Sequence, residues 1–130
     1  MIMNVDDINI IKKAVNGADI IEGVSRETLF SMILDSLGLD NRFIMVDVEG
    51  NDIVGFMFAT IEWFDGKNVV FIQSCYSKKD GNVQVMLDKC IDWAKKYGLN
   101  KIIFMSKRNP EAWSRKYGFN NIYTVMEKIL

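Results

Sequence analysis

The spacing of apolar residues in the first third of the chain predicts two amphipathic helices. Apolar residues recur at helical spacing over Asp7 to Val15, which predicts the first helix. A second series with the same spacing predicts a helix over Thr28 to Leu37, and Ser25 before it is a good N-cap. Gly38 is expected to end this helix, because glycine is common just past the last helical residue.

Shorter apolar runs joined by turn residues follow, and they predict three antiparallel strands. The runs cover Phe43 to Val48, Ile53 to Glu62 and Val69 to Tyr76. The segments between them, Glu49-Gly50-Asn51-Asp52 and Asp65-Gly66-Lys67-Asn68, have the Gly, Asn and Asp composition of hairpin turns. Because each turn is short, consecutive strands are expected to lie side by side.

After the third strand the apolar spacing returns to a helical period. It predicts a long helix that opens at Gly81-Asn82-Val83 and closes at Gly98. The remaining elements are a strand over Lys101 to Ser106, parallel to the strand before the long helix, a helix over Pro110 to Tyr117 and a closing strand over Ile122 to Leu130. We therefore expect a single domain over residues 1–130 of class α/β (α+β), with a central twisted mixed β-sheet flanked by helices.

The composition narrows the chemistry open to this chain. Its 130 residues include no histidine and two cysteines, Cys75 and Cys90. Ser-His-Asp and Cys-His catalysis are therefore excluded, and no metal is expected, because two cysteines cannot supply the ligands of a structural zinc. With no disulfide framework, no signal-peptide pattern and no apolar run of about 20 residues, we expect a cytoplasmic location and no membrane partner.

Charge is divided unevenly along the chain, although the net charge is −1. Residues 1–66 contain 12 acidic and 4 basic side chains, whereas residues 67–130 contain 5 acidic and 12 basic ones. Two interpretations stay open. Either the two halves form solvated faces of opposite charge that attract one another, or the second half binds an anionic ligand and the first half faces a cationic ligand. Nucleic acid is not an expected partner, because no aromatic-basic stacking motif is present.

The junction between the third strand and the long helix is the best candidate for anion binding. It reads Tyr76-Ser77-Lys78-Lys79-Asp80-Gly81-Asn82-Val83-Gln84. The first N–H groups of a helix lack partners inside it and carry partial positive charge, so such an end suits a phosphate. Gly81 allows close approach to the backbone, and Lys78 and Lys79 add charge. On these residues alone, an ordinary helix start remains the alternative.

The same stretch resembles the central motif of the GNAT superfamily of N-acetyltransferases. In that family a strand leads into an Arg/Gln-x-x-Gly-x-Gly/Ala loop and a helix that ends in Ala-x-x-x-Gly. Here the loop reads Lys78-Lys79-Asp80-Gly81-Asn82-Val83, and the helix ends Trp93-Ala94-Lys95-Lys96-Tyr97-Gly98. The order of elements, including a late helix followed by Gly118-Phe119, matches the family over nearly the whole chain. The resemblance implies a GNAT-like acyl-CoA N-acyltransferase fold.

The resemblance also implies acetyl-CoA as co-substrate. Its pyrophosphate would lie on the amides of Lys78 to Val83, and its pantetheine arm would follow the third strand. The residues expected to bind it are Gln73, Ser74, Cys75, Lys78, Lys79, Asp80, Gly81, Asn82, Val83, Gln84 and Asn109.

Three residues are candidates for catalysis under the same resemblance. Glu62 is an acidic residue close to where the family places its base. Family members often carry a Tyr four residues before the Gly of Gly118-Phe119, where it protonates the leaving thiolate. Ser114 occupies that position here, and Tyr117 is the alternative acid if the helix is shifted.

The function that the resemblance implies is transfer of acetyl from acetyl-CoA to a small-molecule or protein amine. Acidic residues of the first half, notably Asp19, Glu22 and Glu27, suit a cationic acceptor. The alternative is a binding or interaction module with weak or no catalysis, because Val83 replaces the second Gly/Ala of the loop and Ser114 replaces the Tyr. Small, divergent versions of the fold in phage and mobile-element genomes make such an origin a further hypothesis. A monomer or a homodimer is expected.

Overall fold

A computed structural model describes residues 1–17, 25–36, 41–78, 80–105, 110–123 and 126–130, with the backbone alone at 80, 81 and 110. In chain order the elements are β1 (Ile2–Asn4), α1 (Ile8–Gly17), α2 (Arg26–Asp35), β2 (Arg42–Glu49), β3 (Asp52–Phe64), β4 (Lys67–Ser77), α3 (Asp80–Lys96), β5 (Ile102–Ile103) and α4 (Pro110–Tyr117). Within these ranges, none of the helices has the length and apolar character needed to cross a membrane.

The described strands form one mixed sheet in the order β1-β2-β3-β4-β5. Neighbouring strands are antiparallel up to β4, and β5 is parallel to β4. The β3–β4 hairpin closes through Asp65 and Gly66, whose φ angles of 50° and 83° are both positive. Two positive φ angles match the right-handed twist of the flanking strands, which explains the Asp-Gly pair. The predicted mixed sheet and its three antiparallel strands are confirmed.

Helices cover both faces of the sheet. The face covered by α1 and α2, here called the α1/α2 face, is buried around Ile11, Val15, Leu29, Ile33, Phe56 and Phe58. The opposite α3 face is buried around Met57, Ala59, Val70, Met86, Leu87, Cys90 and Ala94. Successive residues of β3 therefore enter different cores, which is why this strand is a continuous apolar run.

Local capping signals account for the helix ends. The Ser25 side chain accepts the N–H of Thr28 at 3.1 Å, which confirms Ser25 as the N-cap of α2. Helix α2 ends at Asp35, and the predicted end at Leu37 and Gly38 lies outside the described residues. Gly98 has a φ of 71° and closes α3, while the N–H of the following Leu99 reaches the carbonyl of Ala94 at 3.0 Å.

Close contact between α3 and the sheet depends on Gly55 in β3. A Cβ at this position would lie 3.2 Å from the Cβ of Asp47 and 3.4 Å from the terminal methyl of Met86. Asp47 is 2% exposed, and its carboxylate accepts a hydrogen bond from the Asn82 side chain in the first turn of α3. The start of α3 is thereby attached to β2.

Two strands at the edges of the sheet differ from the sequence prediction. Strand β1 was not predicted; it pairs with β2 through Ile2↔Asp47 and Asn4↔Met45. The predicted strand over Lys101 to Ser106 is parallel to β4, as expected, but its strand hydrogen bonding covers only β5. Ser106 lies outside the described residues.

The predicted closing strand over Ile122 to Leu130 is wrong for the residues that the structure describes there, 122–123 and 126–130, which contain no strand. Ile122 is 55% exposed, and Met126 and Ile129 are 87% exposed. A strand requires a paired neighbour as well as suitable residues, and β5 offers only two residues of edge. The composition of residues 122–130 does not indicate whether a neighbouring strand is available for pairing.

Candidate active site

Strands β4 and β5 separate part-way along the sheet. They are paired at Val70↔Ile102 and Phe71↔Ile103, where the chain returns to the sheet after α3. Residues 104 and 105 then leave the strand, while β4 continues to Ser77. The second half of β4 therefore has no β5 partner beside it among the described residues, and an opening forms between the two segments.

A β-bulge in β4 lies at the point of separation. The β3–β4 register changes from Phe58↔Ser74 to Ala59↔Ile72, which leaves Gln73 as an extra residue on β4. A bulge bends its strand, interrupts the ladder and places two successive side chains on one face. The bend therefore lies where β4 and β5 separate, and the bulge places Gln73 and Ser74 on the same face.

The opening is a cleft lined by residues of β3, β4, α3, the segment after β5, α4 and the segment after α4. Its lining residues are Met57, Ile72, Gln73, Ser74, Cys75, Val83, Leu87, Phe104, Met105, Trp113 and Phe119. Most of this wall is apolar, and β4 contributes polar groups from three consecutive residues. An apolar cleft with a few placed polar groups is the usual form of a small-molecule site.

The cleft reaches both layers of the protein. Cys75 packs with the α3-face core, whereas Ser74 lies opposite Phe58, which belongs to the α1/α2-face core. The Gln73 side chain donates a hydrogen bond to Thr60, which pairs with Arg42 of β2. Two ligands that approach from opposite faces of the sheet could therefore meet at the second half of β4.

An aromatic group holds the outer wall of the cleft together. The ring of Phe104 contacts those of Trp113 and Phe119, with centroids 4.7 Å and 4.8 Å away in edge-to-face geometry. Trp113 also contacts Tyr117 one helical turn further along α4, at 5.3 Å. Each such pair contributes about 0.5–1.5 kcal/mol beyond its buried area, so these rings attach α4 to the sheet.

Fewer backbone N–H groups are available to a phosphate at the start of α3 than the six predicted from Lys78 to Val83. The N–H of Lys78 donates to the carbonyl of Val54 at 2.8 Å, so it is already used within the sheet. Helix α3 begins at Asp80, one residue earlier than predicted. Within the helix, the N–H groups of residues 80–82 are those without intrahelical acceptors, because the carbonyl of the N-cap residue accepts the N–H of the fourth helical residue. Lys79 lies outside the described residues.

Side chains in the first turns of α3 divide between the cleft and the surface. Val83 lines the cleft together with Leu87, one turn further along. Asn82 bonds Asp47, and Gln84 donates to Asp88 at 2.8 Å along the helix, so neither side chain is directed into the cleft. Of the residues predicted to bind the co-substrate, the cleft brings together Gln73, Ser74, Cys75 and Val83.

Glu62 lies two hydrogen bonds from the cleft. Gln73 donates from Nε2 to Thr60 Oγ1 at 3.0 Å, and Thr60 Oγ1 donates to Glu62 Oε1 at 2.8 Å. Thr60 is 8% exposed, whereas Glu62 is exposed to solvent. The carboxylate is thus accessible to a ligand while one of its oxygens is held in place.

The two predicted acids occupy different positions on α4. Ser114 is exposed and does not line the cleft, and its carbonyl accepts the N–H of Gly118 at 3.0 Å. Tyr117 is half-buried against Trp113, which does line the cleft. Asn109 lies outside the described residues.

The two cysteines differ in environment. Cys75 is half-buried and lines the cleft. Cys90 is fully buried in the α3-face core, and burial raises the pKa of its thiol from 9.0 to about 12. Cys90 is therefore a core residue without nucleophilic character near neutral pH.

Arg42 places a buried cation on the α1/α2 face, opposite Thr60 in the strand pairing. Its side chain is 5% exposed and forms an ion pair of 2.7 Å with the exposed carboxylate of Asp6. Within the described residues, its Nη1 is buried without a hydrogen-bond partner. The first half of the chain, where the sequence analysis singled out acidic residues, therefore also contributes a buried positive charge to this face. Of those, Glu27 is exposed on α2, and Asp19 and Glu22 lie outside the described residues.

The sequence analysis missed several residues of the site. It did not assign the aromatic wall of Phe104, Trp113 and Phe119 to the site. Thr60 was not singled out, because its role depends on hydrogen bonds to Gln73 on the neighbouring strand and to Glu62, which the sequence does not show. The bulge at Gln73 has no local sequence signature.

Several solved structures similar to this chain are acetyltransferases. The chain is similar to an aminoglycoside 6′-N-acetyltransferase from Acinetobacter haemolyticus, with a TM-score of 0.78 at 14% identity, over 100% of this chain and 97% of that one. It is similar to a predicted acetyltransferase with acetyl-CoA from Clostridium acetobutylicum, with a TM-score of 0.73 at 17% identity over 99% and 96%. Glucosamine-6-phosphate N-acetyltransferase from Arabidopsis thaliana gives a TM-score of 0.70 at 18% identity over 99% and 97%.

These similarities concern the fold, since the sequences are far apart. No family model matches the sequence, and no curated protein sequence matches it. The mixed sheet, the helices on both faces and the full-length coverage nevertheless agree, so the chain has the fold of the GNAT acetyltransferases. The resemblance inferred from the Lys78–Val83 loop is therefore confirmed for the fold.

Proposed function

We propose that this chain is an N-acetyltransferase that transfers acetyl from acetyl-CoA to an amine. The observation that carries the proposal is the cleft at the β4 bulge, which opens where β4 and β5 separate and reaches both faces of the sheet. A transfer between two substrates needs one point that both can reach. The similar folds of acetyltransferases, one of them with acetyl-CoA, support this reading.

Acetyl-CoA is proposed to bind between β4 and the start of α3. The pantetheine arm would lie along Gln73, Ser74 and Cys75, against the apolar side chains of Val83 and Leu87. The pyrophosphate would accept hydrogen bonds from the N–H groups of residues 80–82 at the positive end of α3. Lys78, which is exposed beside this end, supplies positive charge.

The amine is proposed to approach from the α1/α2 face. Glu62 is the proposed base, because it is exposed on this face and linked to the cleft through Thr60 and Gln73. Tyr117, packed on the cleft residue Trp113, is the proposed acid for the leaving thiolate, because Ser114 is exposed outside the cleft. A cationic amine suits the acidic first half of the chain.

Isothermal titration with acetyl-CoA tests the binding half of the proposal. We expect one acetyl-CoA per chain, and we expect V83W to weaken binding by about tenfold or more, which is about 1.4 kcal/mol, because an indole at this position fills the cleft. The matched control is V85W, since Val85 is 42% exposed on the same helix and does not line the cleft. Absence of binding to the unmodified chain at millimolar acetyl-CoA, or equal losses in both variants, contradicts the proposal.

The alternative is a module that binds an acyl-CoA without turnover. The observation that favours it is the exposure of Ser114, which leaves the position of the usual acid outside the cleft. An assay of CoA release from acetyl-CoA with a panel of amines (tobramycin, glucosamine 6-phosphate and a peptide with a free N-terminus) distinguishes the enzyme from the binding module. Turnover of any of them that E62Q lowers supports the enzyme, and binding without turnover supports the module.

A further inference from the structure

A line of three side chains crosses from the cleft to the α1/α2 face. The amide of Gln73 donates to the hydroxyl of Thr60 at 3.0 Å, and this hydroxyl donates to the carboxylate of Glu62 at 2.8 Å. Gln73 lies in the cleft wall, Thr60 is 8% exposed, and Glu62 is exposed to solvent. The line therefore runs from the proposed thioester position to the proposed base.

Alternation along β4 places Gln73 on the same face as Thr60. Ile72 belongs to the α3 face, so Gln73 is directed to the α1/α2 face, where its side chain reaches Thr60, which lies on β3 opposite Phe71. The bulge then keeps Ser74 on this face as well, opposite Phe58. Thr60 and Glu62 are two residues apart on the same strand and so share a face.

The direction of the hydrogen bonds follows from the chemistry of the groups. The amide nitrogen of Gln73 can only donate, so the Thr60 oxygen must accept from it. The single hydroxyl proton of Thr60 is then directed to the carboxylate of Glu62. Threonine is β-branched and restricted at χ1, so the hydroxyl is held in a defined position.

We propose that Thr60 is a positioning residue that orients Glu62 for proton removal from the acceptor amine; this rests on the proposed function. In the step, the amine nitrogen forms a bond to the acetyl carbonyl carbon, and its proton passes to the Glu62 carboxylate. The carbon–sulfur bond breaks, and CoA leaves as a thiolate that takes a proton from solvent or from α4. An exposed glutamate without the Thr60 contact would sample several rotamers, and few of them would reach the amine.

The test is a double-mutant cycle between Thr60→Val and Glu62→Gln, measured as kcat and KM with acetyl-CoA and the amine of the panel that turns over fastest. Valine has nearly the shape of threonine without the hydroxyl. We expect T60V to lower kcat by about tenfold with the KM for acetyl-CoA within about twofold, and T60S to restore at least about half of kcat. In the E62Q background, T60V should cause no further loss, because the hydroxyl acts only through that carboxylate.

A purely structural role for Thr60 gives a different result. The losses of kcat from T60V and E62Q then multiply in the double variant, and T60S does not restore kcat. Either result overturns the inference while the proposed function stands. If T60V is poorly folded by its melting temperature, T60A carries the same test, with the same expected rescue by serine. An unmodified chain that turns over none of the amines overturns the proposed function itself, and the inference with it.

Discussion

Thiol labelling offers a direct measurement of how the two cysteines are placed. Cys75 is half-buried in the cleft, whereas Cys90 is 0% exposed and its pKa is raised by burial from 9.0 to about 12. The thiolate is the reactive form, so the pKa difference can be converted into a rate. At pH 8, about one tenth of a thiol with a pKa of 9.0 is ionised, against about one in ten thousand at a pKa of 12.

The reactivity of Cys90 in the folded chain is therefore about a thousandfold below that of an ordinary thiol, before its lack of access is counted. With the reagent DTNB at pH 8 we expect one thiol per folded chain to react, and both to react in guanidinium chloride. C75A should abolish the native reaction, and C90A should leave it unchanged.

Acetyl-CoA supplies the second arm of this experiment, because it contains no thiol of its own. If it occupies the cleft beside Cys75, labelling proceeds only through the unliganded chain. At an acetyl-CoA concentration of ten times Kd, the labelling rate should fall by about tenfold. Rapid labelling of both thiols in the folded chain refutes the burial argument for Cys90. An unchanged rate at saturating acetyl-CoA refutes the placement of the pantetheine arm.

Two further predictions concern stability. We expect Gly55→Ala to lower the free energy of unfolding by about 1–2 kcal/mol, because the added Cβ would press on Asp47 and Met86. This overpacking exceeds the stability gained by removing a glycine from a strand. Urea denaturation measures the change, and the control is Gly17→Ala, where the nearest atom to an added Cβ is 3.8 Å away. A G55A chain as stable as the parent would contradict the close contact. We also expect the free energy of unfolding to fall as pH rises from 9 to 12, by about 1 kcal/mol per pH unit, because the unfolded chain loses the Cys90 proton from pH 9 upward and the folded chain keeps it. C90A should lack this part of the slope, and an identical slope in C90A would exclude the burial effect.

The parts of the fold that could be predicted are those with local signals. The turn at Asp65-Gly66 and the caps at Ser25 and Gly98 are each explained by residues within a few positions, and the structure confirms them. The predicted bounds of the helix over Pro110 to Tyr117 agree with the structure for the same reason, since proline suits the first helical position.

The parts that could not be predicted depend on distant partners. Strand β1 is three residues long and exists through pairing with β2, more than 40 residues away. The closing strand was predicted from residues that favour a strand, but no paired neighbour accompanies them in the described residues. The link from Gln73 to Glu62 joins positions on different strands, and a single sequence does not indicate the register in which two strands pair.

The bulge in β4 also bears on how the chain can vary in length. On one side of Gln73, Ile72 belongs to the α3 face; on the other, Tyr76 belongs to the α1/α2 face and donates its hydroxyl to the carbonyl of Ala14 at 3.0 Å. These two residues are four positions apart, so strict alternation would place them on the same face, and the extra residue of the bulge is what puts them on opposite faces. A chain without Gln73 would keep Ala59↔Ile72 and Phe58↔Ser74 as consecutive pairs, with every other side chain on its present face. Deletion of Gln73 would therefore leave both cores in place and remove the bend in β4 and the hydrogen bond to Thr60. The extra residue contributes to the cleft and not to the packing of the two cores.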